Sequence, residues 1–399
     1  MKITAIETLR LAEYPNLCWV LVHTDEGIVG LGETFFGAAA VSAYIHETAA
    51  PLLLGQDPRQ IDRLRRVLSP YVGYAGTGVE MRGNSAIDIA LWDIVGQMTG
   101  QPLYQLLGGL TREAIWVYNT CAGSRYIRTR PIQRSDNWGL TPEPVGPYED
   151  LDAFLHRADD LARSLLEQGI TGMKIWPFDP AAEASFGQHI SARDLDQALE
   201  PFRKIRAAVG NRMEIMVELH GLWSLPMAKR IAQALEPFAP FWLEDPIRPD
   251  DLGALAELAR ATRIPLTLSE TLATRWGFRE LLERRIPGVV MLDVSWCGGL
   301  SEARRIAAMA EAYQLPVAPH DCTGPVVFTA SVHLAVSVPN ALTQEVVRAF
   351  YWGWYRELVT ELPPLEQGQV RPLQHPGLGT RLRPELFDRP DAIRQYTAL

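Results

Sequence analysis

Six polar residues close short apolar runs at intervals of roughly 25 residues, the length that a strand, a helix and two loops take in an eightfold β/α barrel. Glu218 closes EIMVE, Glu244 closes FWLE and Glu270 closes LTLSE. Asp293 closes VVMLD, His320 closes LPVAPH and Glu345 closes ALTQE. On that reading each stands at the C-terminal end of its own barrel strand, and all six face one mouth. A carboxylate at the end of an apolar strand is costly to bury alone. Three on neighbouring strands repel one another unless a cation neutralises them, and hard oxygen ligands favour Mg²⁺, with Mn²⁺ an alternative. The competing reading pairs each Glu with an Arg or Lys in a structural network. It suits a single acid better than three in phase, so Glu218, Glu244 and Glu270 are the predicted metal ligands.

Asp293 and His320 fall on adjacent strands by this count. An Asp that accepts a hydrogen bond from one ring nitrogen fixes the tautomer and raises the basicity of the other. His320 is thus the candidate general base, against the plainer reading of a buried packing histidine. His220 follows Glu218 by two residues, and if the strand extends that far both share a face. It is either a second acid/base opposite His320 or a loop residue behind the metal. Lys174 and Trp176 in MKIW share a face for the same reason. Lys174 could stabilise negative charge developing on a substrate, and Trp176 would form a pocket wall. Glu345 either hydrogen-bonds a substrate carboxylate when protonated or pairs with His or Lys. Trp352, Trp354 and Tyr355 are expected to cover the barrel end. A cation, a base and donors of this kind suit removal of a proton α to a carboxylate, with the enediolate stabilised in place.

The elements that must position these residues are legible in order. Residues 1–35 read as two or three antiparallel strands, with Tyr14-Pro15-Asn16 as a loop between the first two. From Val41 to about Gly108 the apolar spacing is helical, with Asn84 or Ser85 as a cap for the last helix and Gly100 closing it. AIWVYNT (Ala114–Thr120) begins a new pattern. A long polar stretch, Ser124 to about Glu149, follows it and would serve as a lid over the mouth or as a subunit contact. Strand and helix then alternate, which predicts parallel strands with right-handed crossovers, eight strands in all. The expected division is an α+β cap at 1–112, a barrel at 113–358, and a segment 359–399 packing back on the cap.

Composition sets bounds. The 399 residues are 47% apolar and 21% charged, as in soluble globular chains. A net charge of −9 and the lack of a basic cluster argue against nucleic acid as a partner. Cys18, Cys121, Cys297 and Cys322 are far apart with no zinc spacing, which predicts reduced thiols in the cytoplasm. No leader or membrane-spanning stretch is expected.

At these residues the chain resembles the enolase superfamily, in its mandelate racemase-like branch. DEGIVGLGE and SAIDIALWDIVGQMTGQPLYQLLGG carry the likeness in the N-terminal part. Glu218, Glu244 in LEDP, Glu270 in SET, Asp293, His320 and Glu345 carry it in the barrel. The resemblance implies an α+β cap on a (β/α)7β barrel, Mg²⁺ on the three Glu, and a homo-oligomer, dimeric or octameric. It also implies that loops around Glu13–Asn16 and Gly73–Gly78 close over the substrate, which makes Tyr14 and Asn16 candidate substrate contacts. Two departures matter. Trp176 stands where the branch usually has the second Lys of Lys-x-Lys, so two-base racemisation through that Lys is not expected. Glu218 replaces the usual Asp, and with His220 it gives a Glu-x-His that is similar to acid-sugar dehydratases of the galactonate type.

The expectation is therefore a lyase: Mg²⁺-dependent dehydration of a sugar acid, a small-molecule carboxylate, to a 2-keto-3-deoxy acid. An epimerase, racemase or lactone cycloisomerase would use the same enediolate. A non-catalytic metal-binding homologue is the alternative from another class, and the Asp293–His320 pair argues against it.

Overall fold

The computed structural model describes residues 1–70, 76–143 and 145–399. An N-terminal α+β cap sits on a barrel of parallel strands. The cap sheet contains β1 (Ile3–Leu11), β2 (Tyr14–Thr24) and β3 (Val29–Phe35), all antiparallel. A strand from the far end of the chain, residues Ala392–Ala398, pairs antiparallel with β1 and completes the sheet. Tyr14, Pro15 and Asn16 belong to β2, and the turn falls at residues 12–13. The expected loop at Tyr14-Pro15-Asn16 is strand instead, and the chain reverses just before it. A strand can carry a proline where the missing N–H is not needed for pairing.

The helix Val79–Thr99 packs along β3. Gly30 and Gly32 permit this approach: a Cβ at either would lie 2.1 or 1.9 Å from the carbonyl oxygens of Ala90 and Ala86. The helix starts after Gly78 rather than at Asn84 or Ser85, and Gly100 ends it in the left-handed conformation at φ 66°. Ser85 and Asp88 instead bind the barrel, accepting the backbone N–H groups of Gly298 and Ser301 at 3.0 and 2.9 Å. Glu33, on β3, accepts the N–H groups of Val326 and Val327 at 3.1 and 2.9 Å, at the start of the helix Pro325–Ser337. These bonds register the cap on the barrel mouth.

The barrel strands are β4 (Ile115–Thr120), β5 (Gly172–Ile175), β6 (Glu214–Glu218) and β7 (Trp242–Glu244), followed by β8 (Leu266–Leu268), β9 (Val289–Leu292), β10 (Val317–Pro319) and β11 (Gln344–Val346). Consecutive strands pair in parallel from β4 to β10, β11 pairs with β4, and a bridge from Val317 to Ala341 closes the ring. Their buried, apolar character is that of strands covered on both faces. Tyr118, Met216, Trp242, Val289, Met291 and Ala318 fill the interior below the mouth, with Tyr118 edge-on to Trp242 at 5.1 Å. The segment after the barrel divides between the two parts. The hairpin β12 (Leu365–Glu366) and β13 (Gln369–Val370) pairs with β4, and β14 (Ala392–Ala398) with the cap. No helix among the described residues is long and apolar enough to cross a membrane.

Candidate active site

A cavity of about 820 Å³ opens at the C-terminal ends of the barrel strands, between barrel and cap. Lys174, on β5, stands at its centre of charge. The ammonium bonds Glu244 and lies 2.9 Å from Glu345 Oε1 and 3.8 Å from Glu218 Oε2. Burial would push its proton off, but Glu244 and then Glu345 outweigh that and hold it well above its usual range.

Glu218 ends β6, Glu244 ends β7, and Glu270 follows β8. Glu244 is fully buried: Oε2 accepts from Trp242 Nε1 at 2.8 Å, and Oε1 meets Lys174. A fourth carboxylate, Asp245, faces the cavity beside Glu218 and Glu270. Its Oδ2 accepts from Ser269 Oγ at 2.9 Å, while its Oδ1 and the Oε2 of Glu270 are buried without a partner. Burial and the adjacent Glu244 hold Glu218 well above the usual carboxylate range, and burial and Glu270 do the same to Asp245. Among the described residues no three such side chains are already gathered as ligands around one point, and the Lys174 ammonium stands among them instead. The donor set is nonetheless all oxygen, crowded and short of positive charge, with two orphaned oxygens. That chemistry fits a hard divalent cation.

His320 follows β10. Its Nδ1 lies 2.7 Å from Asp293 Oδ2, and its Nε2 lies 4.0 Å from Glu345 Oε2. Asp293 Oδ1 accepts from the backbone N–H and the hydroxyl of Ser295, both at 2.7 Å, so the carboxylate cannot swing away. Trp296 lies against the imidazole at 5.3 Å. Burial lowers the affinity of His320 for a proton, but Glu345, Asp293 and Glu270 overcome this and lift its pKa to about 10. A base must be neutral to act, so α-proton exchange should rise with pH toward that value. A cation held at Glu270 would cancel part of the lift. Added Mg²⁺ is therefore expected to move the rise in a pH profile of exchange to lower pH. Stability runs the other way: the contribution of a raised histidine is full below its unfolded pKa of about 6.5 and is lost as pH climbs through about 10. Thermal melts of the metal-free protein should fall across that window.

His220 lies outside the strand, which ends at Glu218. The chain turns through His220 in the left-handed region, φ 50°, and its N–H donates to Glu218 Oε1. The side chain still enters the cavity, but a turn rather than strand periodicity brings it there. Its Nδ1 lies 2.8 Å from Asp179 Oδ2 and its Nε2 3.2 Å from Gln133 Nε2. Asp179, buried at the first turn of the short helix after β5, makes this a second His–Asp pair. In the eight-strand ring β6 and β10 are four strands apart, so the two histidines face each other across the mouth. Trp176, buried among Tyr126, Phe154 and His220, forms the wall behind the second pair.

Family models decide the class. One described as the mandelate racemase/muconate lactonizing enzyme N-terminal domain matches residues 4–108, and one described as enolase C-terminal domain-like matches residues 157–386. The chain belongs to the enolase superfamily. It is 34% identical over 386 residues to a D-galactonate dehydratase of Ralstonia nicotianae, covering 95% of this chain and 91% of that one. A crystal structure of an enolase of the mandelate racemase subgroup from Agrobacterium tumefaciens is 53% identical, with a TM-score of 0.89 over 100% of this chain and 99% of that chain. An enolase from Sargasso Sea environmental sequence is 44% identical, with the same TM-score and coverage.

Within this enolase-superfamily enzyme, Tyr14 and Asn16 do not line the large cavity. Asn16 Nδ2 donates to the carbonyls of Ile127 and Arg130 at 2.7 and 3.2 Å, and the Arg128 guanidinium lies 4.2 Å over the Tyr14 ring. They hold the 124–149 segment, whose Tyr126, Ile127, Pro131 and Gln133 face the cavity. Gly123 pairs with Glu149 at its base. Residues 73–75 of the other expected closing loop lie outside the described residues, and Thr77 reaches the cavity. Tyr355 is buried and donates to Asp321 Oδ1 at 3.1 Å, Trp354 packs 5.1 Å from Tyr14, and Trp352 is partly exposed. Sequence reasoning missed Asp179, Asp245, Phe36, Arg82 and Trp296. Asp179 had a signal, an acid three residues beyond Trp176 in a strand-to-helix loop. Arg82 had none.

Proposed function

We propose that this enzyme is a Mg²⁺-dependent acid-sugar dehydratase that forms a 2-keto-3-deoxy acid. The observation that carries the reading is the pair of carboxylate-oriented histidines opposed across one cavity. The 34% identical relative named a D-galactonate dehydratase supports the same class. Glu218, Glu244 and Glu270 would hold Mg²⁺, which supplies a Lewis acid and charge neutralisation for the substrate carboxylate. His320 Nε2 takes the α-proton, with Asp293 fixing the tautomer through Nδ1. Lys174 donates to the carboxylate oxygen on which negative charge develops. Glu345 keeps Lys174 and His320 in place. His220 gives a proton to the departing 3-hydroxyl, so that water leaves and an enol remains. The enol tautomerises to the keto acid. We read the protein further as a cytoplasmic homo-oligomer, in line with its unpaired cysteines and its family.

The opposed histidines also favour a second reading, epimerisation or lactone cycloisomerisation, in which His220 returns a proton from the far face. A library of aldonates, uronates and aldarates in D₂O with Mg²⁺ separates the two. Keto acid in a colorimetric assay establishes dehydration. Deuterium at the α-carbon without keto acid sinks the dehydratase and leaves the isomerase. Asp179→Asn is expected to lower dehydration by about tenfold to a hundredfold, the scale of one misoriented acid. Exchange of the α-proton, measured by NMR in the same sample, should change far less, because His320 is untouched.

A further inference from the structure

The carboxylates and the two His–Asp pairs leave a charged residue of the cavity wall, Arg82, without a task. Arg82 enters from the cap, in the first turn of the helix Val79–Thr99. Its guanidinium lies 5.3 Å from the Trp296 ring and 5.8 Å from the Phe36 ring. Trp296 in turn lies 5.3 Å from the His320 ring, so the guanidinium is two such steps from the base.

Among the described residues Arg82 has no carboxylate partner, and its buried Nε has no hydrogen bond there. The nearest influence is the charge of Asp293, which is already engaged by His320 and Ser295. Residues 71–75 and 144, outside the described set, include neither Asp nor Glu. An arginine does not escape by losing its proton. Its place is therefore unfavourable twice: a half-buried cation lacks a counter-ion, and it lies at the positive end of a 21-residue helix. Stacking on Trp296 and Phe36 offsets part of this. A hydrophobic residue would form the same wall without either penalty. The other arginine at the rim, Arg248, is 74% exposed and already paired with Asp250 at 2.7 Å.

We propose that Arg82 binds a second carboxylate at the far end of the substrate, so that the sugar acid is a dicarboxylate, an aldarate, rather than an aldonate. This rests on the sugar-acid reading above and names its substrate class. With the reacting carboxylate near Lys174 and the α-carbon at His320, the far end of an extended chain would reach past Trp296 toward Arg82. The guanidinium lies against two rings that stack on each other at 5.8 Å and lines the cavity, where its planar N–H groups suit bidentate contact with a carboxylate. A carboxylate matches this single cation. A phosphate dianion calls for more positive charge than Arg82 alone supplies.

The test is binding and exchange on the Mg²⁺-loaded full chain with three probes of matched stereochemistry, across several configurations: a hexarate, a hexonate and a hexonate 6-phosphate. Calorimetry should show the hexarate binding at least about tenfold tighter than its hexonate, the scale of one charged hydrogen-bonded contact. Arg82→Gln should bring that ratio close to one through loss of hexarate binding, and Arg82→Lys should restore part of it. Circular dichroism and melting of each variant check the fold. Equal binding of hexarate and hexonate by the natural protein overturns the assignment. So does preference for the phosphate, or an Arg82→Gln variant that weakens both acids alike. Proton exchange in the same samples separates the two levels. Exchange confined to hexonates overturns the diacid and leaves the dehydratase standing, whereas no exchange with any sugar acid overturns both.

Discussion

His320→Asn is expected to lower turnover by about a thousandfold, within the range assigned to a positioned general base. Asparagine keeps a polar group beside Asp293, so the fold of the loop after β10 is retained. It lacks a nitrogen that can accept the α-proton. Deuterium incorporation at the α-carbon should vanish together with product, because both need the same step. Titration with Mn²⁺, followed by its effect on water relaxation, should give the same affinity as the natural protein, since His320 is not among the oxygen donors. If exchange persists in this variant, another residue takes the proton and the roles of the two histidines must be reversed.

Lys174→Met should have the largest effect on the molecule itself. Lys174 sits among Glu244, Glu345 and Glu218, all buried. Removing one partner of a buried ionic group commonly costs about 3–5 kcal/mol, because the charges left behind have no compensation. The expected loss of stability appears in denaturant melts of the metal-free variant. Mg²⁺ should recover a substantial part of it by restoring positive charge among the same carboxylates, and so the gain in stability on adding Mg²⁺ should be larger in the variant than in the natural protein. Equal gains in both would mean that the cation and the ammonium do not share an electrostatic role. Turnover should stay low even with Mg²⁺, since methionine gives no donor to the developing negative charge.

The barrel was legible because its strands are covered on both faces. Each is a short apolar run, and a charged residue at its end is conspicuous against that background, as with Glu218 after EIMV or Asp293 after VVML. Chain order alone then placed these residues in one ring. The cap was harder to read in detail. Asn84 and Ser85 have the chemistry of helix caps, yet both lie inside the helix, and Ser85 is spent on Gly298 of the barrel. Local preference yielded to a tertiary partner that the sequence does not mark. Asn16 has the same lesson: a turn-forming residue sits in β2 because its amide holds the carbonyls of Ile127 and Arg130. Asp179 meets His220 from the first turn of a helix, where an acid is ordinary, and Arg82 lines the cavity from the cap, so that only the packing of cap on barrel shows what it faces.

The strand formed by residues 392–398 has a consequence for how this chain is made. It is the outer neighbour of β1 in the cap sheet, with Ala398 opposite Ala5. The sheet on which the Arg82 helix packs therefore lacks this edge until residues 392–398 have left the ribosome. By then the barrel can already have formed, as a parallel array built from neighbouring segments. The N-terminal strands must wait with an unpaired edge, the kind of surface that invites wrong pairing with another chain. A nascent chain halted before residue 392 would hold its barrel residues and still lack a finished specificity surface.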